Sequence, residues 1–110
     1  MEKVVLLYTT WPDAETARAA AKAAVTERLA ACVNILAPMT SVYRWDGAME
    51  TAEETPALFK TSEAGATALR ARLLALHPYD LPAILAFPAG EASHAPYLDW
   101  VIGETRPTSS

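Results

Sequence analysis

The Asp46-Gly47 dipeptide constrains the fold of this 110-residue sequence more than any other feature, because it predicts a long β-hairpin. Asp-Gly favours the two positive φ angles of a type I′ turn, whose twist matches that of antiparallel strands. β-Branched and aromatic residues precede the turn, as is typical of a strand. The turn also fixes the register of the hairpin, which predicts the facing pairs Trp45–Ala48, Arg44–Met49 and Tyr43–Glu50.

Both arms of the hairpin are predicted to be long. The first arm begins at Cys32, and Ala37-Pro38 interrupts it with a bulge or an edge position. The return arm runs to Lys60-Thr61. Pro56 predicts an exposed or edge segment within this arm, because proline lacks the N–H group that a central strand uses.

Strand and helix patterns alternate around the hairpin. A continuous apolar run predicts a first strand over 3–10, and a second short run predicts a last strand at about 83–87. Helical spacing predicts helices from Pro12-Asp13 to about Ala31, from Ser62 to His77-Pro78, and over 94–104. The order is βαββαβ with a C-terminal helix, an α+β ferredoxin-like sandwich. Residues 1–110 form one domain, with a flexible tail at about 104–110.

The apolar content predicts that the domain associates with other copies. Hydrophobic residues make up 52% of the chain, but 23 of them are alanines, so bulky core residues are few. Large apolar side chains are concentrated on the hairpin instead, at Tyr43, Trp45, Leu58 and Phe59. A patch of this size on a monomer usually marks an interface.

Charge and segment length exclude several classes of protein. The formal net charge is −4 and the nine Lys and Arg residues are spread along the chain, which argues against nucleic-acid binding. The N-terminal apolar run of about six residues is too short for a signal peptide or a membrane span. The lone Cys32 is consistent with a reducing compartment. These patterns predict a soluble, cytoplasmic protein.

Five blocks of the sequence resemble, in order and spacing, the signature blocks of the CutA family of divalent-cation tolerance proteins. They are ERLAACVNI, TSVYRWDGAME, FKT, LHPYDLPAIL and YLDW, and the likeness runs from Val4 to Trp100. The resemblance implies a ferredoxin-like fold, a homotrimer similar to the PII signalling proteins, and tolerance of copper and other divalent metals without a general enzymatic activity. Two departures are that Ala83 follows Pro82 where relatives often have glutamate, and that Thr9 stands where some carry a second cysteine.

Cys32 and His77 are the candidate metal ligands. Thiolate suits Cu(I), imidazole suits Cu(II) or zinc, and some relatives have been linked to copper at these positions. The alternatives are that Cys32 is a small buried hydrophobe and that His77 caps a helix. Two ligands are fewer than a stable metal site needs, so another subunit, water or a small molecule has to complete it. His94, in a loop, is set aside.

A second set of residues predicts a cleft between subunits. If hairpins pack together in the trimer, aromatic walls and a basic side chain line the space between them, where small ligands often bind. The alternative is that the aromatic residues only pack and the charged residues form a solvated rim. The members of this set are Tyr43, Arg44, Trp45, Glu54, Lys60 and Tyr79.

Four functions are weighed for these sites. The first is a non-enzymatic, cytoplasmic homotrimer that binds copper or another divalent cation and needs no obligatory cofactor. The alternative is a PII-like signalling or adaptor module that senses a small anion or a partner protein at the inter-subunit cleft. An enzyme with Cys32 as nucleophile and His77 as base is disfavoured, because the sequence offers no oxyanion loop and no third orienting group. A stable scaffold with incidental metal binding stays open as well.

Overall fold

The computed structural model describes residues 2–106, which form five strands and three α-helices. The elements follow one another as β1 (Val4–Trp11), α1 (Ala14–Thr26), β2 (Cys32–Ile35), β3 (Met39–Trp45), β4 (Ala48–Ser62), α2 (Ala66–Leu76), β5 (Ile84–Pro88) and α3 (Ala95–Glu104). A short 3₁₀ turn, Glu63–Gly65, leads into α2.

All strand pairs are antiparallel, and their order in the sheet is β2-β4-β1-β5, with β3 also paired to β4. Strands β2 and β3 are the two parts of the first hairpin arm. Counting them as one strand gives the ferredoxin-like βαββαβ arrangement with an added C-terminal helix, as the sequence predicts.

The hairpin has the predicted register. Trp45 pairs with Ala48, and the facing pairs Arg44–Met49 and Tyr43–Glu50 follow. Asp46 and Gly47 have φ angles of 50° and 79°, as a type I′ turn requires. The return strand β4 is 15 residues long, so it pairs with β3 near the turn and with β1 and β2 further on.

A β-bulge interrupts the first arm at residues 36–38. Ile35 pairs with Ala57 and Met39 pairs with Glu54, so three residues on one strand lie opposite two on β4. The prediction that Pro56 marks an exposed or edge segment is wrong, because Pro56 is buried in the central strand β4. Its carbonyl oxygen accepts a hydrogen bond from the Leu36 N–H at 3.0 Å. In a β-strand the N–H and C=O groups of one residue point to the same side, so the N–H that Pro56 lacks would point into the bulge. The bulge already interrupts the backbone hydrogen bonds between the strands, so proline is tolerated there.

Helices α1 and α2 cover one face of the sheet. α1 packs through Ala17, Ala20 and Ala24, and α2 through Leu69 and Leu73, against a core that the sheet supplies with Leu7, Trp11, Ala57 and Phe59. The small alanine side chains allow α1 to approach the strands closely.

Helix α1 ends at Thr26, about five residues earlier than predicted. Arg28 has a φ angle of 60°, in the left-handed region, which reverses the chain direction. The N–H groups of Leu29 and Ala30 both donate to the Ala24 carbonyl oxygen and close the helix end.

Helix α3 lies on the other face of the sheet. Val101 and Ile102 pack against Val4, whose side chain points away from the α1/α2 layer. The Arg28 guanidinium donates to the carbonyl oxygens of Gly103 and Arg106 at 3.4 and 3.1 Å. Of the predicted tail at 104–110, Glu104 is the last residue of α3, and residues 107–110 lie outside the described part of the chain.

The rest of this second face, the open face, carries large exposed side chains. Leu85 and Phe87 of β5 are 56% and 52% exposed, and Trp45 in the hairpin is 51% exposed. Within residues 2–106, no helix has the length and apolar run needed to cross a membrane.

Candidate functional site

His77 follows α2 and is held by three contacts. Its ring stacks on Trp11, with the ring centres 4.2 Å apart and the planes at 23°. Its Nε2 lies 2.7 Å from the Thr10 carbonyl oxygen, and its Nδ1 accepts from the Tyr79 N–H at 3.2 Å. The carbonyl only accepts and the amide only donates, so these bonds place the proton on Nε2. Both ring nitrogens of this buried residue are therefore engaged by the backbone of the same chain.

Cys32 is the first residue of β2 and is half-buried. It pairs with Lys60 of β4, and the next residue, Val33, packs against the helix-covered core. Because side chains alternate along a strand, Cys32 points to the open face, whereas His77 stacks on a core residue of the other face. The structure does not bring the two predicted ligands together within one chain.

A metal centre needs more donors than this arrangement supplies. In the region from residue 2 to residue 106, there is no cluster of three or more His, Cys, Asp or Glu side chains able to hold a metal ion. Cys32 and His77 also lie on opposite sides of the sheet. The donors of one chain therefore do not fit a metal by themselves, and any site that uses them has to draw on a second chain.

A groove of about 750 Å³ opens at the base of the hairpin on the open face. Strands β1, β3 and β4 form its floor and one wall, and the loop after α2 forms the other wall. Five of the six predicted cleft residues line it: Tyr43, Arg44, Trp45, Glu54 and Tyr79. Tyr8, Thr10, Met39, Ser41, Pro78, Asp80, Leu81 and Ala83 complete the lining. We call this feature the hairpin groove.

The hairpin groove is electronegative around Tyr79. Burial raises the pKa of the Tyr79 phenol, and the carboxylate of Glu54 raises this pKa further. Tyr43 and Asp13 act in the same direction. Glu54 is half-buried, so its charge acts on its neighbours through a medium less polar than bulk water.

Lys60, the sixth predicted cleft residue, lies elsewhere on the open face. Its Nζ donates to the Tyr97 hydroxyl at 3.2 Å and sits 5.3 Å from the centre of that ring. Lys60 and Glu54 are six residues apart on the extended strand β4, about 20 Å at the usual rise per residue. Helix α3, rather than the hairpin, therefore supplies the partner of Lys60.

Sequence reasoning missed several groove residues and one buried network. Asp80 and Leu81 directly follow Tyr79, so the block that predicted Tyr79 contained the signal for them. Thr9, noted in the sequence only as a replacement for cysteine, accepts a hydrogen bond from Trp11 Nε1 at 2.7 Å and donates to the Ala57 carbonyl oxygen at 2.9 Å. No local pattern signals that link.

The topology, the extended hairpin and the groove at its base define a small α+β protein of the ferredoxin-like type. The family model described as CutA1 divalent ion tolerance protein matches residues 5–104. The chain belongs to this family, which is non-enzymatic.

Individual relatives agree over almost the whole chain. The divalent-cation tolerance protein CutA of Thermus thermophilus is 48% identical over 101 residues, which are 92% of this chain and 95% of the relative. The protein of the same name from Pyrococcus horikoshii is 39% identical over 103 residues, which are 94% of this chain and 99% of the relative. The crystal structure of CutA1 from Oryza sativa superposes with a TM-score of 0.90 at 35% identity, covering 96% of each chain.

Proposed function

We propose that the chain acts in tolerance of divalent cations as a non-enzymatic homotrimer. The observation that carries this proposal is the exposed apolar surface of the hairpin and the open face. Met49 and Val42 are 75% and 64% exposed near the hairpin turn, and Leu81 beside the groove is 71% exposed. A monomer that leaves this much apolar surface in water would aggregate, whereas association through the hairpins buries it.

Light scattering tests the assembly. At micromolar concentration the wild-type protein is expected to have three times the 11.8 kDa mass of the chain. Met49→Glu places a charge on the exposed hairpin and is expected to weaken association, whereas Arg18→Glu, on the exposed side of α1, is the control. A folded monomer in the wild type contradicts the proposal.

We further propose that the trimer binds copper, with Cys32 and His77 as ligands completed by a neighbouring subunit. A metal on His77 would have to displace one of its two hydrogen bonds. Nδ1 offers the available lone pair, so binding there would break the bond from the Tyr79 N–H. Cys32 has no such competitor, and its thiolate is the soft ligand that Cu(I) prefers.

Isothermal titration with copper separates the two ligands. Cys32→Ser and His77→Gln are each expected to abolish stoichiometric binding while the trimer mass stays unchanged. Asn34→Ala, two residues along β2 on the same face as Cys32, is the matched control and is expected to bind like the wild type. Binding that survives both ligand substitutions contradicts the assignment.

We also propose a cytoplasmic location. Relatives differ in this respect, since the Archaeoglobus fulgidus protein is described as periplasmic and a rice protein as chloroplastic. Cell fractionation of the source organism, with a cytoplasmic and a membrane marker, tests the proposal. Recovery of the protein outside the cytoplasmic fraction contradicts it.

The hairpin groove favours a second candidate function, a PII-like module that senses a small ligand or a partner between subunits. Its volume of about 750 Å³ lies within the usual range for small-molecule sites. Aromatic side chains of the hairpin and the loop after α2 form opposite walls. Thermal stabilisation of the trimer by a small molecule, unchanged by Cys32→Ser, would support this function.

A further inference from the structure

The charges of the hairpin groove indicate which kind of small molecule it can hold. Two carboxylates, Glu54 and Asp80, line the groove, and Arg44 is the basic residue among the lining residues. Neither carboxylate takes part in an ion pair within residues 2–106, where the ion pairs are Arg28–Glu104 and Arg72–Glu27. The groove therefore has an excess of unneutralised negative charge.

The walls of the groove are aromatic. In the single chain Tyr43, Trp45 and Tyr79 are 43%, 51% and 38% exposed, so part of each ring faces the space that the groove and a neighbouring copy would enclose. The faces of aromatic rings carry partial negative charge and attract cations, most strongly where water is excluded. The pKa of Tyr79 is raised first by burial and then by the Glu54 carboxylate, which places this carboxylate close to the aromatic wall.

We propose that the hairpin groove binds a small organic cation, one with an alkylammonium or guanidinium head, against Glu54 and the aromatic walls. The inference rests on the proposed ligand-sensing function and gives its ligand the opposite charge to the small anion expected from the sequence. The lining carries two carboxylates and one arginine, so its net charge disfavours an anion and favours a cation.

A hydrated metal ion fits the groove less well than an organic cation. Its tightly held water shell gains little from aromatic walls, and the two acidic side chains fall short of a metal-ligand set. An organic cation uses both features, since the charged head hydrogen-bonds to a carboxylate while the apolar stem lies on the rings.

Calorimetric titration of the wild-type protein with agmatine, which carries both types of head, tests the proposal. Glu54→Gln keeps the shape of the side chain but removes its charge, and is expected to weaken agmatine binding about tenfold or more, the effect of losing one charge-assisted hydrogen bond. Glu53→Gln is the matched control, because it makes the same change one residue away on the opposite face of β4. It is expected to change the affinity less than about twofold.

The same samples are titrated with 1,4-butanediol and with succinate, and their mass is measured by light scattering. No binding of either compound, together with the loss in Glu54→Gln, supports the proposal. Absence of agmatine binding, or equal affinity in Glu54→Gln and wild type, overturns it. Succinate binding that Arg44→Ala abolishes would overturn the cation assignment but leave ligand sensing intact, whereas a monomeric mass would remove the proposed assembly itself.

Discussion

A buried hydrogen-bond relay through Thr9 gives the sharpest test of how the sheet is held. Trp11 Nε1 donates to Thr9 Oγ1, which donates to the Ala57 carbonyl oxygen, and Trp11 and Thr9 are fully buried. Thr9→Val keeps the shape but removes the oxygen. We expect it to lower the free energy of unfolding by about 2–4 kcal/mol, because both hydrogen bonds of the Thr9 hydroxyl are lost and the buried indole N–H is left without a partner.

Thr9→Ser is the matched control for this prediction. It keeps both hydrogen bonds and loses one methyl group, so it should cost only about 1 kcal/mol. Guanidinium chloride unfolding followed by circular dichroism measures both variants, at one protein concentration because association makes stability concentration-dependent. If Thr9→Val is as stable as Thr9→Ser, the relay does not carry the energy assigned to it and the reasoning is refuted.

Three further predictions follow from other contacts. His77→Ala removes the ring stacked on Trp11 and both of its hydrogen bonds, so unfolding should become easier by about 2–4 kcal/mol, and a loss below about 1 kcal/mol in the same assay would contradict this. Gly47→Ala should cost about 1 kcal/mol in thermal unfolding, since no atom lies within 4 Å of the added carbon and only its positive φ angle opposes it; an unchanged transition argues against strain at the turn. The Arg72 hydrogen bond lowers the pKa of Glu27, so the stabilisation from this pair is present above the unfolded-state pKa and is lost as pH falls through the folded-state pKa. An NMR titration should place the Glu27 midpoint below 4.5 and show it rising in Arg72→Gln, and equal midpoints would contradict the ion pair.

The hairpin could be predicted from the sequence because its determinants are local. Asp46 and Gly47 set the backbone angles of the turn, and the register of every following pair is then a matter of counting. The bulge at residues 36–38 was predicted in part, since Ala37-Pro38 indicated either a bulge or an edge position there. The sequence did not show that this bulge lets Pro56 occupy a central strand. Which residues lie opposite a proline depends on pairing between strands that are far apart in the sequence.

The end of α1 shows where local signals failed. No glycine marks the position, and Arg28 adopts a left-handed conformation that glycine or asparagine usually occupies. The side chain of Arg28 reaches the carbonyl oxygens at the end of α3, about 75 residues later in the chain. A contact of that sequence separation leaves no periodic trace, so the helix was predicted too long.

In the candidate site too, the positions set by local sequence were predicted and those set by distant contacts were not. Tyr43, Arg44 and Trp45 were predicted together and lie together because the hairpin carries all three. Lys60 was grouped with them because it belongs to the same hairpin, but its partner Tyr97 comes from α3, whose docking position no local pattern gives. The residue type of His77 suggested a metal ligand, whereas only the structure shows both of its nitrogens engaged.

The distribution of side-chain size over the two faces of the sheet explains why function is expected between copies of the chain. The face covered by α1 is closed with alanines, Ala17, Ala20 and Ala24, which let the helix approach closely. Trp11 and Phe59 fill this core, and further large side chains lie on the open face and the hairpin, where Phe87 and Trp45 remain about half exposed. The monomer therefore completes one hydrophobic core and leaves a second set of large apolar side chains exposed. A second copy can cover that surface, and a groove at its edge is then bounded by two chains, so each proposed site would depend on assembly.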